Sequence, residues 1–204
     1  GRWIIRYTEQ FAYDFNKDGL KEIVLLADSC DSYVNEAGNL VCNASRLNYD
    51  MLFVLNYTGG TTFGTIAGHN GDMAVQDVNN DGIKDILYTS DAKLRAIDMY
   101  GNDIPGWEGG IDFTNYLTDN DQVGYINSLA VSDIDNDEVT DIVFTAQTYS
   151  KSLLFAIDAE TKALKPNFPF GQKDSPGGVY NPCWMIGNPL IGQLDEDPEM
   201  EITV

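Results

Sequence analysis

Basic residues are scarce in this chain of 204 residues. Lysine and arginine number 12 against 32 aspartates and glutamates, for a formal net charge of −20. No stretch gathers the basic residues into a stripe, so nucleic acid is not expected as a partner. The acids are unevenly spread, because thirteen of the 32 stand at corresponding positions of four short loops. The charge therefore indicates bound cations and not a disordered, solvating tail.

Residues typical of catalysis are equally scarce. His69 is the only histidine, and a loop histidine bonded to a neighbouring carbonyl is expected there in preference to a general base. No serine or cysteine nucleophile has a partner nearby in the sequence. Acid pairs for glycoside hydrolysis stay open because acids are so frequent, although the loops account for many of them. We therefore predict that the chain itself is not an enzyme.

Long apolar runs are absent, and so is any signal-peptide pattern. Membrane insertion is therefore not expected within this segment. The chain begins with Gly1 and not with methionine. We expect either that a leader has been removed or that the chain is a piece of something longer.

What the sequence does contain is an acidic loop of nine residues that recurs four times, each time before an apolar strand. The copies begin at Asp14, Asp77, Asp133 and Gln193, at intervals of 63, 56 and 60 residues. They read DFNKDGLKEIVLL, DVNNDGIKDILYT, DIDNDEVTDIVFT and QLDEDPEMEITV. Oxygen-bearing side chains recur at loop positions 1, 3, 5 and 9, and oxygen atoms are the ligands that Ca²⁺ prefers. The spacing predicts one calcium site per loop.

Each site is expected to use four side chains and the backbone carbonyl of position 7. The predicted ligands are Asp14, Asn16, Asp18, Leu20 and Glu22; Asp77, Asn79, Asp81, Ile83 and Asp85; Asp133, Asp135, Asp137, Val139 and Asp141; and Gln193, Asp195, Asp197, Glu199 and Glu201. Glycine at position 6 lets the backbone reverse without a Cβ clash, but the third loop has Glu138 there and the fourth has Pro198. The first three loops match the pattern of oxygen donors, and the fourth departs from it at position 1, where it has the neutral Gln193.

Acidic loops of this kind also occur as plain turns and in EF-hands. Asp, Asn and Gly favour turns in any case, so a single copy could be a plain acidic hairpin turn. Several copies with one oxygen spacing favour a metal, because unscreened carboxylates a few ångströms apart repel each other. An EF-hand has its last acid at position 12 and lies between helices, whereas position 12 here is Leu25, Tyr88 and Phe144. Each loop is thus predicted to join two strands.

The repeat extends beyond the loop. After each loop strand comes a second apolar run that ends in a polar turn, as in MLFVLNYTGG, LRAIDMYGND and LLFAIDAETK. About four strands per unit, a period near 60 residues and almost no helical periodicity predict an all-β fold, a β-propeller of four-stranded blades. The expected blades span about 5–66, 67–124 and 125–184, with the first half of a fourth at about 185–204. Because a closed propeller usually needs about four to eight blades, we expect either a fragment of a larger propeller or missing strands that come from elsewhere.

These loops, with segments such as FAIDAETKALKPNFPF, resemble the FG-GAP or VCBS repeat family, which forms calcium-binding propeller blades in integrin α-subunit heads and in many secreted proteins. The resemblance covers nearly the whole chain and is strongest for the first three loops. It implies that calcium sits in the hairpin loop between the first two strands of each blade and holds that edge rigid. It implies no particular ligand, because one fold hosts many functions.

The first unit carries an insertion of roughly 20 residues that contains Cys30, Cys42 and the sequon residue Asn43. A disulfide between the two cysteines would tie the ends of this loop. A second sequon begins at Asn56, which could equally be a plain turn residue, and Cys183 is either a free buried thiol or paired outside the chain. Paired cysteines, sequons and calcium together favour an extracellular location, secreted or at the cell surface.

We expect an extracellular module that binds a protein or glycan ligand, or copies of itself, in adhesion or structural assembly. Two alternatives are the propeller of a secreted polysaccharide-degrading enzyme and the subunit of an extracellular filament. Trp3, Trp107 and Trp184 could stack on sugar rings, although Trp107 in an IPGW turn is more typical of packing between blades.

Overall fold

The computed structural model describes residues 2–35, 37, 40–42, 49–68, 72–90, 92–116, 123–148, 152–171, 188–195 and 200–204. These residues form strands and a single 3₁₀ turn, Phe113–Tyr116, so the predicted all-β class is confirmed. Among them, no helix has the length and apolar character needed to cross a membrane.

The strands form four antiparallel sheets that follow one another along the chain. Sheet 1 contains β1 (Arg2–Tyr13), β2 (Glu22–Val34), β3 (Leu40–Cys42), β4 (Tyr49–Leu55) and β5 (Thr61–Gly68); sheet 2 contains β6 (Met73–Gln76), β7 (Asp85–Ser90), β8 (Lys93–Ile97) and β9 (Ile111–Asp112); sheet 3 contains β10 (Val123–Ser132), β11 (Asp141–Thr148), β12 (Ser152–Asp158) and β13 (Phe170–Gly171); and sheet 4 contains β14 (Leu190–Gly192) and β15 (Glu201–Thr203).

Each of the first three sheets is a meander in which successive strands are neighbours. The orders are β1-β2-β4-β5, β6-β7-β8-β9 and β10-β11-β12-β13. The predicted number of four strands per repeat is therefore confirmed for sheets 2 and 3, and sheet 1 adds only the short β3. Sheet 4 has two described strands.

Alternate residues of β7 explain how the sheets pack. Ile86 and Tyr88 are buried in a cluster shared with Val24 and Leu52 of sheet 1. Leu87, which lies between them in sequence, is buried in the cluster that contains residues of sheet 3. Successive strand residues point to opposite faces, so sheet 2 has an apolar sheet against each face. Because both faces of β7 are buried, its residues ILYT form a continuous run and do not alternate between apolar and polar side chains.

Sheet 3 repeats this arrangement. Phe144 packs with Phe113 of the 3₁₀ turn that follows sheet 2, their ring centroids 4.2 Å apart. Val143 instead belongs to a cluster that includes Ile191 and Ile202 of sheet 4. The described sheets thus stack in the order in which they occur in the sequence. They do not close into a ring, and the propeller therefore stays a prediction.

The insertion in the first unit extends an existing strand. It lengthens β2 to 13 residues and adds β3, which pairs with the far end of β2 so that Cys42 lies opposite Ser32. Cys30 is two residues away from Ser32 on β2, and the disulfide remains a prediction. Asn43 and Cys183 lie outside the described residues.

Candidate metal centre

All four acidic loops join the first two strands of a sheet, as predicted. They connect β1 to β2, β6 to β7, β10 to β11 and β14 to β15. Neighbouring loops also touch, because Thr140 Oγ1 donates to the Asp77 carbonyl at 3.1 Å and the Met200 N–H donates to the Ile134 carbonyl at 3.1 Å. The acidic loops therefore lie side by side along one edge of the stack.

The first acid of the loop organises the turn. In the first loop the Asp14 carboxylate accepts the N–H groups of Asp18 at 3.0 Å and Gly19 at 2.8 Å. The Asp77 carboxylate makes the equivalent bonds at 3.2 and 2.8 Å, and that of Asp133 makes them at 3.2 and 3.0 Å. One backbone geometry is thus repeated three times, although the second and third loops share few residues outside the acids.

Two left-handed residues in each of the first three loops bring the ligand positions together. Position 4 has φ near 58° at Lys17 and Asn80 and 57° at Asn136. Position 6 has φ 88° at Gly19 and 80° at Gly82, and the third loop places Glu138 in the same region at 68°. The third loop therefore adopts the predicted turn without the glycine.

The closing acid at position 9 lies at the base of the loop and is buried. Glu22 is 2%, Asp85 3% and Asp141 0% exposed. One oxygen of each accepts the N–H of position 2, at 3.0 Å from Phe15, 3.1 Å from Val78 and 3.0 Å from Ile134. Glu201 accepts from Leu194 in the same way at 2.5 Å, so the fourth loop shares this bond. A bond to the backbone fixes one oxygen of the closing acid and leaves the second oxygen to face the loop.

The second loop buries negative charge beside negative charge. Burial raises the pKa of Asp85 to about 6, the bond from the Val78 N–H opposes that rise, and the charges of Asp81, Asp77 and Asp98 add to it. Asp81, Asp85 and Asp98 line a cleft of about 310 Å³, together with Asn79, Tyr100, Asp103 and Ile104 among others. A cation in contact with Asp85 would reverse the electrostatic cost, because an opposite charge favours the ionised carboxylate. The donors of this loop fit a hard divalent ion.

Of the three loops that the structure describes in full, the third brings its carboxylates closest together. Single oxygens of Asp133, Asp135 and Asp141 lie within 4.8 Å of one another, so this triad could hold a metal ion. Burial raises the pKa of Asp141, and the ammonium of Lys165 opposes that rise. Lys165 itself is only 9% exposed, and its Nζ lies 2.8 Å from Asp141 Oδ1.

The predicted ligands fall into two groups. Those of the first three loops lie where one turn geometry assembles them, and the N–H groups of Leu20, Ile83 and Val139 donate to the acid at position 5 at 2.8, 2.7 and 2.9 Å. In the fourth loop Gln193, Asp195 and Glu201 are described, whereas Asp197 and Glu199 lie outside the described residues, as do His69 and Trp184.

Two other residues named from the sequence have defined roles. Trp107 is 2% exposed within the core between sheets 2 and 3, so its predicted packing role is confirmed. Asn56 acts as a turn residue, since its Oδ1 accepts the N–H groups of Thr58 at 3.1 Å and Gly60 at 2.8 Å. Glycosylation of Asn56 stays a prediction.

Sequence reasoning missed Lys165. The signal was available, because the third repeat reads LKP where the second reads DIP, which puts a lysine at the position of an apolar residue. Asp98 and Asp158 lie in the polar turns predicted at the ends of LRAIDMYGND and LLFAIDAETK. In the structure Asp98 also lines the cleft of the second loop, and Asp158 Oδ2 lies 3.9 Å from Lys165 Nζ.

Comparisons with protein-family models, with curated proteins and with solved structures find no match for this chain. The resemblance to propeller repeats therefore depends on the loops and on the strand pattern alone.

Proposed function

We propose that the chain is part of an extracellular calcium-binding β-propeller module of the FG-GAP or VCBS type. The observation that carries this proposal is the acidic loop with one hydrogen-bond pattern, which recurs between the first two strands of three consecutive four-stranded sheets. Such sheets, stacked face to face in chain order, are what propeller blades require.

Calcium is the favoured ion because of the donor set. The predicted ligands are carboxylate and carbonyl oxygens, with one side-chain amide in the first, second and fourth loops. They include no sulfur or imidazole, and this suits a hard cation with loose geometry. Magnesium demands a stricter octahedron and keeps more of its water. Because each loop has its own closing acid, each ion is enclosed by one loop. The role of the ion is therefore structural, and it stabilises one edge of the sheet to which the loop belongs.

Recognition of a protein or glycan ligand, or of further copies of the chain, is assigned to other surfaces. The extension of β2 with β3 is the best candidate, since the second and third units lack it and loops added to a rigid scaffold commonly carry specificity. The function is thus binding or assembly on a scaffold that calcium stabilises.

The central test is thermal melting in EGTA and after addition of millimolar calcium, with magnesium as a separate arm. An ion that binds only the folded state stabilises it by about 2.7 kcal/mol at a hundredfold excess over Kd. We expect the midpoint to rise with calcium and much less with magnesium. Identical melting curves in EGTA and in calcium would sink the proposal.

A pair of variants assigns the effect to the loops. Asp81→Asn keeps an acceptor for the Ile83 N–H but removes a ligand charge, so the calcium-dependent rise should shrink. Glu108→Gln removes the same charge at an exposed turn outside the loops and should leave that rise unchanged.

A further inference from the structure

The ammonium of Lys165 lies inside the third acidic loop. Its Nζ is 2.9 and 3.0 Å from the two oxygens of Asp135, 3.2 Å from Asp137 Oδ2 and 2.8 Å from Asp141 Oδ1. These three residues supply positions 3, 5 and 9 of the loop. Lys165 therefore contacts three of the four side chains that a metal ion would use there.

The second repeat builds the same backbone with an apolar residue. The Ile104 N–H donates to the Ala96 carbonyl at 3.2 Å, and the Lys165 N–H donates to the Ala156 carbonyl at 2.9 Å. Proline follows both residues, and the carbonyls of Ile104 and Lys165 accept equivalent turn bonds from Trp107 at 3.0 Å and from Phe168 at 3.2 Å. Lys165 thus occupies the position of Ile104, and the change in side chain alone introduces the positive charge.

A second difference accompanies the lysine. Position 3 is Asn16 and Asn79 in the first two loops but Asp135 in the third, and Asp135 is the residue that Lys165 contacts with both of its oxygens. At these two positions the third repeat therefore has one more carboxylate and one more ammonium than the second. Burial would lower the pKa of Lys165, and its contacts with Asp141, Asp135 and Asp137 raise it. A lysine side chain is ordinarily an ammonium at neutral pH, and three carboxylates surround this one.

We propose that Lys165 is a built-in cation that holds the third loop closed without a divalent ion and competes with calcium for the same oxygens. This inference rests on the proposed function, because it divides the loops into calcium-dependent ones and a calcium-independent one. An ammonium donates three hydrogen bonds, and they reach the oxygens that calcium would need for its six to eight contacts. Calcium cannot take those oxygens while a positive charge remains among them.

The test counts calcium ions per chain by isothermal titration calorimetry. The variants are Lys165→Ile, which copies the second repeat, and Lys162→Met, a matched control. Lys162 also lies between β12 and β13, but its Nζ lies over the Trp107 ring, 4.7 Å from the ring centroid. We expect Lys165→Ile to bind one more calcium ion per chain than wild type, and Lys162→Met to bind the wild-type number.

Melting in EGTA provides an independent measurement. Lys165→Ile should melt at a lower temperature than wild type in EGTA, because a buried charge cluster loses its counter-ion, and calcium should restore it. If Lys165→Ile does not fold in EGTA, the double variant Asp135→Asn, Lys165→Ile replaces it in the test, because it has the residues of the second repeat at both positions. The double variant should fold in EGTA and should bind one more calcium ion than wild type.

Two results overturn the inference. One is an equal number of calcium ions, bound with equal affinity, in wild type and in Lys165→Ile. The other is loss of an ion from wild type on Asp133→Asn, which would place calcium in the third loop beside Lys165. If neither wild type nor Lys165→Ile binds any calcium, the proposed function itself is wrong.

Discussion

At the scale of single residues, position 6 of the acidic loop shows how much backbone geometry depends on one side chain. Gly19, Gly82 and Glu138 all have positive φ, but only glycine enters this region without strain. Space is not the difficulty, because a Cβ built on Gly82 meets nothing within 4 Å. The cost at Glu138 is therefore conformational, and it can be measured.

Glu138→Gly should stabilise the protein and Gly82→Ala should destabilise it. A left-handed non-glycine residue costs about 1 kcal/mol, and the extra freedom of glycine in the unfolded chain offsets part of the gain. We expect the free energy of unfolding to rise by about 0.5 kcal/mol in Glu138→Gly and to fall by about 1 kcal/mol in Gly82→Ala, as measured by urea denaturation.

Glu138→Gln is the control for charge, because it keeps the side-chain shape and the strain. A gain in Glu138→Gln as large as that in Glu138→Gly would show that charge and not φ limits the third loop. Higher stability in Gly82→Ala would contradict the argument directly.

At the scale of elements, a buried carboxylate joins sheets 2 and 3. Asp72, just before β6, is 6% exposed and accepts the N–H of Leu129 in β10 at 2.6 Å and that of Met73 at 2.9 Å. The equivalent residue of the third repeat is Ser128, which bonds instead to Thr145 within its own sheet at 2.9 Å. Asp72 thus joins sheets 2 and 3 through the backbone of β10.

Asp72→Ala should lower the free energy of unfolding by about 2 kcal/mol, because the Leu129 N–H would be buried without an acceptor. Asp72→Asn keeps one acceptor oxygen and should lie between the alanine variant and wild type. Chemical denaturation monitored by tryptophan fluorescence measures both. An alanine variant as stable as wild type would show that packing between the two sheets, and not this carboxylate, holds them together.

The element scale also shows the limits of prediction from sequence. The strands after the loops, the turns at Asp98 and Asp158 and the loops themselves were predicted, because periodicity and turn chemistry are local. The role of Lys165 was not predicted, because it depends on a contact with Asp135, which lies 30 residues earlier in the sequence. No local pattern distinguishes a lysine that faces water from one that enters a neighbouring acidic loop.

At the scale of the whole molecule, the main electrostatic feature is the excess of negative charge. The chain carries a net charge of −20, and its acidic loops lie along one edge of the stack. Each bound divalent ion would remove two negative charges from that edge. Repulsion between the loops is therefore largest in the metal-free protein, and Lys165 is the internal cation that reduces it in the third loop.

Added NaCl should raise the melting temperature more in EGTA than in calcium. The screening length falls from about 10 Å at 0.1 M to about 3 Å at 1 M salt, so salt relieves repulsion that calcium would otherwise neutralise. Differential scanning calorimetry measures both series. Choline chloride in place of NaCl controls for specific sodium binding, and an equal response to salt with and without calcium would contradict the prediction.

The sequence by itself determined the all-β class, the repeat and the oxygen donors of each loop, because these depend on residues that are close together in the chain. Tertiary structure decided how the sheets stack, which side chains are buried between them and that Lys165 lies among the acids of the third loop. These features depend on contacts between distant segments, where burial and charge act together. The second and third loops have nearly the same acids but therefore differ in the side chain beside them. Ile104 lines the cleft at the second loop, whereas Lys165 contacts the acids of the third.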